Sequence, residues 1–353
     1  MIDTKQFVDE LLSRGIEKIA GVPCSFLKPL INEAENRGIY EPFVNEGDAM
    51  AYAAGSILAG HKCAVVMQNS GLSNALSPLT SLNELFGLGT LLIIGNRGAD
   101  DEPQHRIMAG CVEPFLDAAG IPHVMAEEPG ALGRAMTRLT GKSSAVLVND
   151  RTTFSPVPLN RDSGKKKELP LRYNMLQAVF EASGRSAIAT ATGFTSREMF
   201  CVKDRPENFY MVGSMGCLSS LSLGLAENLR ERNVIAIDGD SACLMRLGGL
   251  YTLTQKQPHN LFYLVLDNES NESTGGQRNS LGESRLLDVM RSMYPTEEVH
   301  SPEELAEKIR IFHNAPVYTQ VYAKIRTGTM EDLPRPDRQL IFNQAQRFME
   351  TIR

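Results

Sequence analysis

The residues best suited to chemistry lie between Val234 and Gln277. A β-branched run leads into Asp238-Gly239-Asp240-Ser241-Ala242, and a second apolar run ends in Leu266-Asp267-Asn268. Roughly 25 residues separate Ser241 from Asp267, the length of one helix plus one strand. That spacing brings Asp240 and Asn268 to the carboxyl ends of adjacent strands. An anionic and a neutral oxygen ligand there suit Mg²⁺, which takes few protein ligands and completes its octahedron with phosphate oxygens. Small side chains after Asp240 let backbone N–H groups at a helix start approach a diphosphate. A strand ending in an Asp cap, with an unrelated Asp-Asn turn further on, is the plainer reading. The spacing, together with the tail Ser273-Thr274-Gly275-Gly276-Gln277, speaks against it.

The elements that position these residues alternate along the whole chain. Residues 19–22, 64–68, 91–95 and 145–149 read as short buried strands, with helical patterns over 3–13, 48–59 and 72–85. Strand patterns recur at 187–189, 209–212, 234–238, 261–267 and 317–322, with helices over 173–182, 218–229, 244–254 and 302–312, and a terminal helix within 334–353. Between the halves lies a stretch with Pro156, Pro158, Pro170 and a run of three lysines, 165–167. The expectation is an α/β protein of two domains, 1–155 and 171–353, joined by a linker over 156–170. Each is a mainly parallel sheet flanked by helices, with ligands at the carboxyl ends of the strands.

Composition narrows the function. The chain has 353 residues, 42% hydrophobic and 22% charged, with a net charge of −6. An acidic balance argues against binding nucleic acid or an anionic membrane, while leaving room for a local pocket for a small anion. The longest apolar run, 85–95, falls short of the roughly 20 residues a membrane helix needs. The first residues alternate charge with apolar side chains and show no signal-peptide core. The 6 cysteines form no CxxC pair, which fits reduced thiols in a cytoplasmic protein. Two nucleotide motifs fail. Met136 stands where a P-loop ending in Gly141-Lys142-Ser143 needs glycine, and Gly213-Ser214-Met215-Gly216 lacks the G-x-G-x-x-G pattern.

Gly239-Asp240-Ser241 with Asp267-Asn268 resembles the diphosphate–metal motif of thiamine diphosphate enzymes. More narrowly, the chain resembles the phosphonopyruvate decarboxylases and their relatives the sulfopyruvate decarboxylases. The resemblance rests on Gly21-Val22-Pro23, Asn45-Glu46-Gly47-Asp48-Ala49, Gln68-Asn69-Ser70-Gly71-Leu72, Asp101-Glu102-Pro103-Gln104-His105, Tyr210-Met211-Val212-Gly213-Ser214-Met215-Gly216, and Leu266-Asp267-Asn268 with the Ser-Thr-Gly-Gly-Gln tail. The chain departs from the pattern at Ser241, where the general motif has Gly, and at Asp267, where it has Asn. Cys217 stands where some relatives carry His.

The resemblance implies a pyrimidine-binding-type first domain, a diphosphate-binding-type second domain, and thiamine diphosphate and Mg²⁺ as cofactors. Glu46 would share a proton with the cofactor's pyrimidine; an apolar approach to a strand end would desolvate its carboxyl and raise its pKa. The alternative for Glu46 is a solvated turn residue, with Asp48 as the helix cap. Gly213, Ser214, Met215, Gly239, Asp240, Ser241, Ala242, Asn268, Ser273 and Thr274 would hold the cofactor. Asp240, Asn268 and the backbone of Ser270 would hold the metal. Ser25, Lys28, Asn69, Ser70 and Arg97 are candidates for the substrate's anionic groups, with Asn74 on the same wall. His105 would return a proton after CO₂ leaves. Surface salt bridges, or a structural histidine, are the plainer readings of Lys28, Arg97 and His105.

The implied reaction is the non-oxidative decarboxylation of 3-phosphonopyruvate to phosphonoacetaldehyde and CO₂, in phosphonate biosynthesis. The implied assembly is a homo-oligomer, at least a dimer, with active sites between subunits. Sulfopyruvate decarboxylation, or carboligation by the same machinery, stays open, although a fused chain leans away from sulfopyruvate decarboxylases that split their halves. A non-catalytic homologue is the remaining alternative, motivated only by Ser241 and Asp267.

Overall fold

Strands that are apolar at every position, such as Leu91-Leu92-Ile93-Ile94, must be covered on both faces, and a parallel sheet between two helical layers does this. A computed structural model describes residues 1–98, 101–139, 141–160, 168–279, 284–334 and 338–352. They form two compact units, Met1–Asp162 with Ser273–Leu281, and Ser163–Glu272 with Gly282–Arg353. Of the expected linker, residues 161–167 lie outside the described residues.

The first unit is built on strands β1 (Ile16–Gly21), β2 (Tyr40–Pro42), β3 (Lys62–Gln68), β4 (Leu91–Gly95), β5 (His123–Met125) and β6 (Ser144–Val148). They form one parallel sheet in the order β2-β1-β3-β4-β6-β5. Alternate residues serve separate cores. Ile19, Val66, Ile93 and Val146 pack on one face, and Ala20, Val65, Met67, Leu92 and Leu147 on the other. The second unit is built on β7 (Ala187–Thr190), β8 (Asn208–Tyr210), β9 (Val234–Gly239), β10 (Leu261–Asp267), β11 (Thr296–Val299) and β12 (Thr319–Lys324). This sheet is also parallel, in the order β11-β12-β10-β9-β7-β8. Its two faces divide the same way: Ala236 and Val265 on one, Ile235, Ile237 and Leu264 on the other. The expected pair of mainly parallel, helix-flanked sheets is what the chain forms.

Three differences from the expected elements have local causes. The helix anticipated from residue 48 spans Glu46–Leu58, because Asn45 caps it by accepting from the Gly47 N–H at 2.8 Å. The single helix anticipated over 72–85 is α-helical only over Leu72–Pro78 and widens into a π-helical segment over Leu79–Glu84. Pro78 lacks the N–H that regular continuation would use. The helix anticipated over 244–254 is two, Asp240–Met245 and Leu247–Lys256, broken at Arg246 where φ is −138° and ψ is 56°. The terminal helix spans Arg338–Ile352 and docks through Gln344, whose side-chain amide accepts from Tyr210 N–H at 2.9 Å and donates to Tyr210 O at 3.0 Å. It thus pairs with the backbone of edge strand β8.

Candidate active site

In the first unit, the chemistry-bearing residues leave the carboxyl ends of neighbouring strands. Glu46 opens the helix that follows β2, and only 4% of its surface is exposed. Its Oε2 accepts from Asn74 Nδ2 at 2.8 Å. The close approach of Gly71 completes the setting: a Cβ there would lie 2.2 Å from Glu46 Oε1, so glycine is what lets the carboxyl occupy this position. Glu46 is therefore a buried, held acid and no solvated turn residue, and Asn45 takes the capping role offered to Asp48. Asn74, expected on the substrate wall, donates to Glu46 and orients it.

From β3 and β4 come Asn69, Ser70 and Arg97. Asn69 is fully buried and donates to the Arg97 carbonyl at 2.9 Å, and Gln68 Nε2 donates to Ser70 Oγ at 2.7 Å. The buried Arg97 guanidinium donates to Asp101 Oδ2 at 2.6 Å and to Glu102 Oε2 at 3.3 Å. It lies over the Phe26 ring at 5.7 Å, and Arg151 lies over the same ring at 5.5 Å. Burial pushes the Asp101 carboxyl up, but the hydrogen bond and charge of Arg97 outweigh it and hold Asp101 below the usual carboxylate range. His105 is buried, 3.6 Å from Glu102, and among the described residues neither ring nitrogen has a hydrogen-bond partner; Ser25 Oγ is likewise buried and without a partner among them. Buried polar atoms are ordinarily satisfied, so these are candidates to meet a ligand's polar groups. Lys28 is exposed at the first position of helix Lys28–Asn36. Ser273 and Thr274 belong to this unit's short segment Ser273–Leu281, anchored where Gln277 Nε2 donates to Asn32 Oδ1 at 2.8 Å.

In the second unit, β9 and β10 pair so that Leu266 lies beside Gly239, which sets Asp240 next to Asp267 at the strand ends. Both acids are buried. Burial and the neighbouring Asp267 carboxylate push Asp240 well above the carboxylate range. Burial would raise Asp267 too, but the Tyr322 hydroxyl at 2.7 Å, the hydrogen bond shared with Asp240 and the charge of Lys324 hold it low. Asp238, two residues before Asp240, accepts from Tyr263 OH at 2.5 Å, and burial pushes it up to about 6. Asn268 Oδ1 accepts from Ser270 N–H at 3.0 Å. Ser241 and Ala242 are buried, and Gly239 is partly exposed. The turn after β8 carries Gly213, Ser214 and Met215, with Ser214 in the left-handed region at φ 53°. A non-glycine residue seldom sits there, and such positions cluster at functional turns.

Two buried acids sharing a proton, next to an amide oxygen and the Ser270 backbone, make a hard-oxygen environment that a divalent cation would relieve, so these residues fit Mg²⁺. Among the described residues no group of three or more His, Cys, Asp or Glu side chains could hold a metal. The expected set draws only Asp240 from those residue types, so no such group is required. Sequence reasoning missed Arg151 and the Gly71–Asn74 support of Glu46. The signal for the latter was the Asn-Ser-Gly turn opening a helix whose first turn also carries Asn74.

Residues 4–121 match the family model of the thiamine pyrophosphate enzyme N-terminal TPP binding domain, and residues 188–331 match that of the C-terminal TPP binding domain. The chain is 33% identical to a phosphonopyruvate decarboxylase of Streptomyces viridochromogenes, covering 95% of this chain and 91% of that one. It is 32% identical to a phosphonopyruvate decarboxylase of Streptomyces hygroscopicus, covering 95% and 90%. A sulfopyruvate decarboxylase of Methanosarcina acetivorans is 26% identical, covering 88% of each chain. That relative aligns along both halves, so a fused chain does not lean away from sulfopyruvate decarboxylases as expected. The chain carries the two thiamine pyrophosphate-binding domains of a decarboxylase and belongs to the phosphonopyruvate decarboxylase family.

Proposed function

We propose that this enzyme decarboxylates 3-phosphonopyruvate to phosphonoacetaldehyde and CO₂, in phosphonate biosynthesis. The observation that carries the substrate is the similarity to two phosphonopyruvate decarboxylases over 95% of the chain. Thiamine diphosphate, when bound, supplies a nucleophilic carbon that adds to the keto group and takes up the electron pair as CO₂ leaves. The chain's own residues do the rest. Glu46, desolvated and oriented by Asn74, holds and returns a proton at a pyrimidine nitrogen. Asp240, Asn268 Oδ1 and the Ser270 carbonyl hold Mg²⁺, while Gly213, Ser214, Met215, Gly239, Ser241, Ala242, Ser273 and Thr274 line the cofactor. Ser25, Lys28, Asn69, Ser70 and Arg97 bind the substrate's carboxylate and phosphonate. His105 returns the proton to the carbon that lost CO₂. The working unit is a cytoplasmic homo-oligomer, at least a dimer, with active sites between subunits.

The full-length sulfopyruvate decarboxylase relative supports a second reading, since a sulfonate differs from a phosphonate mainly by one charge. The deciding assay offers each acid to enzyme loaded with thiamine diphosphate and Mg²⁺, alone and in competition, following CO₂ and aldehyde. Turnover preferring phosphonopyruvate is the expected result. Preference for sulfopyruvate moves the assignment to the second reading, and no turnover of either overturns both.

A further inference from the structure

Just past the proposed metal ligands lies a buried charge network with no role in the reaction described above. Glu272, with 12% of its side chain exposed, collects three donors. Asn268 Nδ2 donates to its Oε2 at 2.6 Å, Gly328 N–H donates to its Oε1 at 2.6 Å, and Arg172 Nη2 completes the set. Arg172 is itself buried, donates to Glu198 Oε2 at 3.4 Å and lies over the Phe194 ring at 5.7 Å. Glu198 in turn accepts from Met330 N–H at 3.2 Å. Two segments beyond β10 and β12 are thus tied to one guanidinium.

The consequence is chemical. A carboxylate only accepts hydrogen bonds, whereas an amide offers an oxygen on one side and N–H groups on the other. The contact with Glu272 therefore forces the Asn268 NH₂ toward it and the carbonyl oxygen away. That oxygen takes the Ser270 N–H and keeps a second lone pair for a cation. The same turn fixes the backbone of Ser270, whose carbonyl is the third ligand of the set. We propose that Glu272 is a positioning residue that sets which face of the Asn268 amide meets the divalent cation, with Arg172 holding Glu272 in place. This rests on the Mg²⁺ site proposed above. Partners of this kind, one step behind a ligand, typically alter metal affinity 10–100-fold.

The test is titration calorimetry of Mg²⁺ into full-length enzyme with saturating thiamine diphosphate, for the parent, Glu272→Gln and Glu198→Gln. Glu272→Gln lets the facing amide meet either side of Asn268, and its Mg²⁺ dissociation constant is expected to rise about 10–100-fold. Its turnover should recover at high Mg²⁺. Glu198→Gln perturbs the same network without touching Asn268, and its constant should stay within about threefold of the parent's. Equal shifts in both variants, or an unchanged constant in Glu272→Gln, overturn the positioning role. Absence of Mg²⁺ binding by the parent overturns the metal site itself. A second comparison, Asn268→Asp with and without Glu272→Gln, gives an independent answer. An aspartate facing Glu272 sets carboxylate against carboxylate, so the double variant should bind Mg²⁺ more tightly than Asn268→Asp alone. A double variant that binds no better contradicts the proposal.

Discussion

The two units thread their strands identically, each in the order second, first, third, fourth, sixth, fifth by position along its own sheet. Corresponding strand ends nevertheless deliver different chemistry. The end of the second strand leads to the buried Glu46 in one unit and to the Gly213–Gly216 turn in the other. The third ends in Gln68-Asn69-Ser70 in one and Gly239-Asp240-Ser241 in the other, and the fourth leads to Arg97 in one and Asn268 in the other. The first unit isolates one acid under an asparagine and collects guanidinium groups. The second sets two acids against each other. A shared topology supplies equivalent exits at the carboxyl edge, and the residues placed there decide what each sheet can do.

That contrast can be broken from either side. The largest effect is expected from Asp240→Ala, which removes the proposed charged metal ligand of the second unit. Thiamine diphosphate binding in the presence of Mg²⁺ should become undetectable by calorimetry, and activity should vanish. In the first unit, Gly71→Ala puts a methyl group against Glu46 and displaces its carboxyl. Because misplacing a catalytic group by about 1 Å costs about 100-fold, kcat should fall by that order while cofactor affinity holds. Arg97→Ala removes the guanidinium proposed to bind the substrate, and steady-state kinetics should show kcat/KM lowered about 10–100-fold, mostly through KM.

Smaller effects sharpen the contrast by separating fold from site. Gln344→Ala leaves the Tyr210 N–H and C=O of the edge strand without their partner. Chemical denaturation should show a loss of about 1–3 kcal/mol, with kcat unchanged. The smallest effect concerns Asp101. Its folded pKa lies below its unfolded value near 3.9, so its pairing with Arg97 adds stability above that pH, and the gain is lost as pH falls through the folded value. The melting temperature of Asp101→Asn should lie a few degrees below the parent's at pH 7, and the gap should narrow as pH falls below the unfolded value.

Much of the fold was legible because doubly covered parallel strands announce themselves as unbroken apolar runs, as at 91–95 and 261–267. Shorter edge strands such as His123–Met125 and Thr296–Val299 carry no such run and escaped notice. So did the short helices Val112–Ala118 and Ala131–Thr137, whose few turns give periodicity little to show. At the site, the placing of Asp240 beside the Asp267-Asn268 strand end followed from spacing, since the interval holds only a helical stretch, broken at Arg246, and one strand. The support of Glu46 did not, because Gly71 and Asn74 reach it only through folding that brings the turn after β3 beside the start of a preceding helix. Glu272 was hidden for a similar reason: its partners Arg172 and Gly328 lie far away in sequence.

The central claim is that Glu46 works as a proton-sharing acid at the cofactor while Asp240 only secures it. Glu46→Gln tests this most directly, because it keeps the shape and removes the shared proton. The measurement is the exchange rate of the thiazolium C–H proton of bound thiamine diphosphate. The expected result is exchange slowed by several orders of magnitude at near-parental cofactor affinity, with turnover falling in parallel. Exchange as fast as in the parent enzyme would make Glu46 a structural residue and contradict the account.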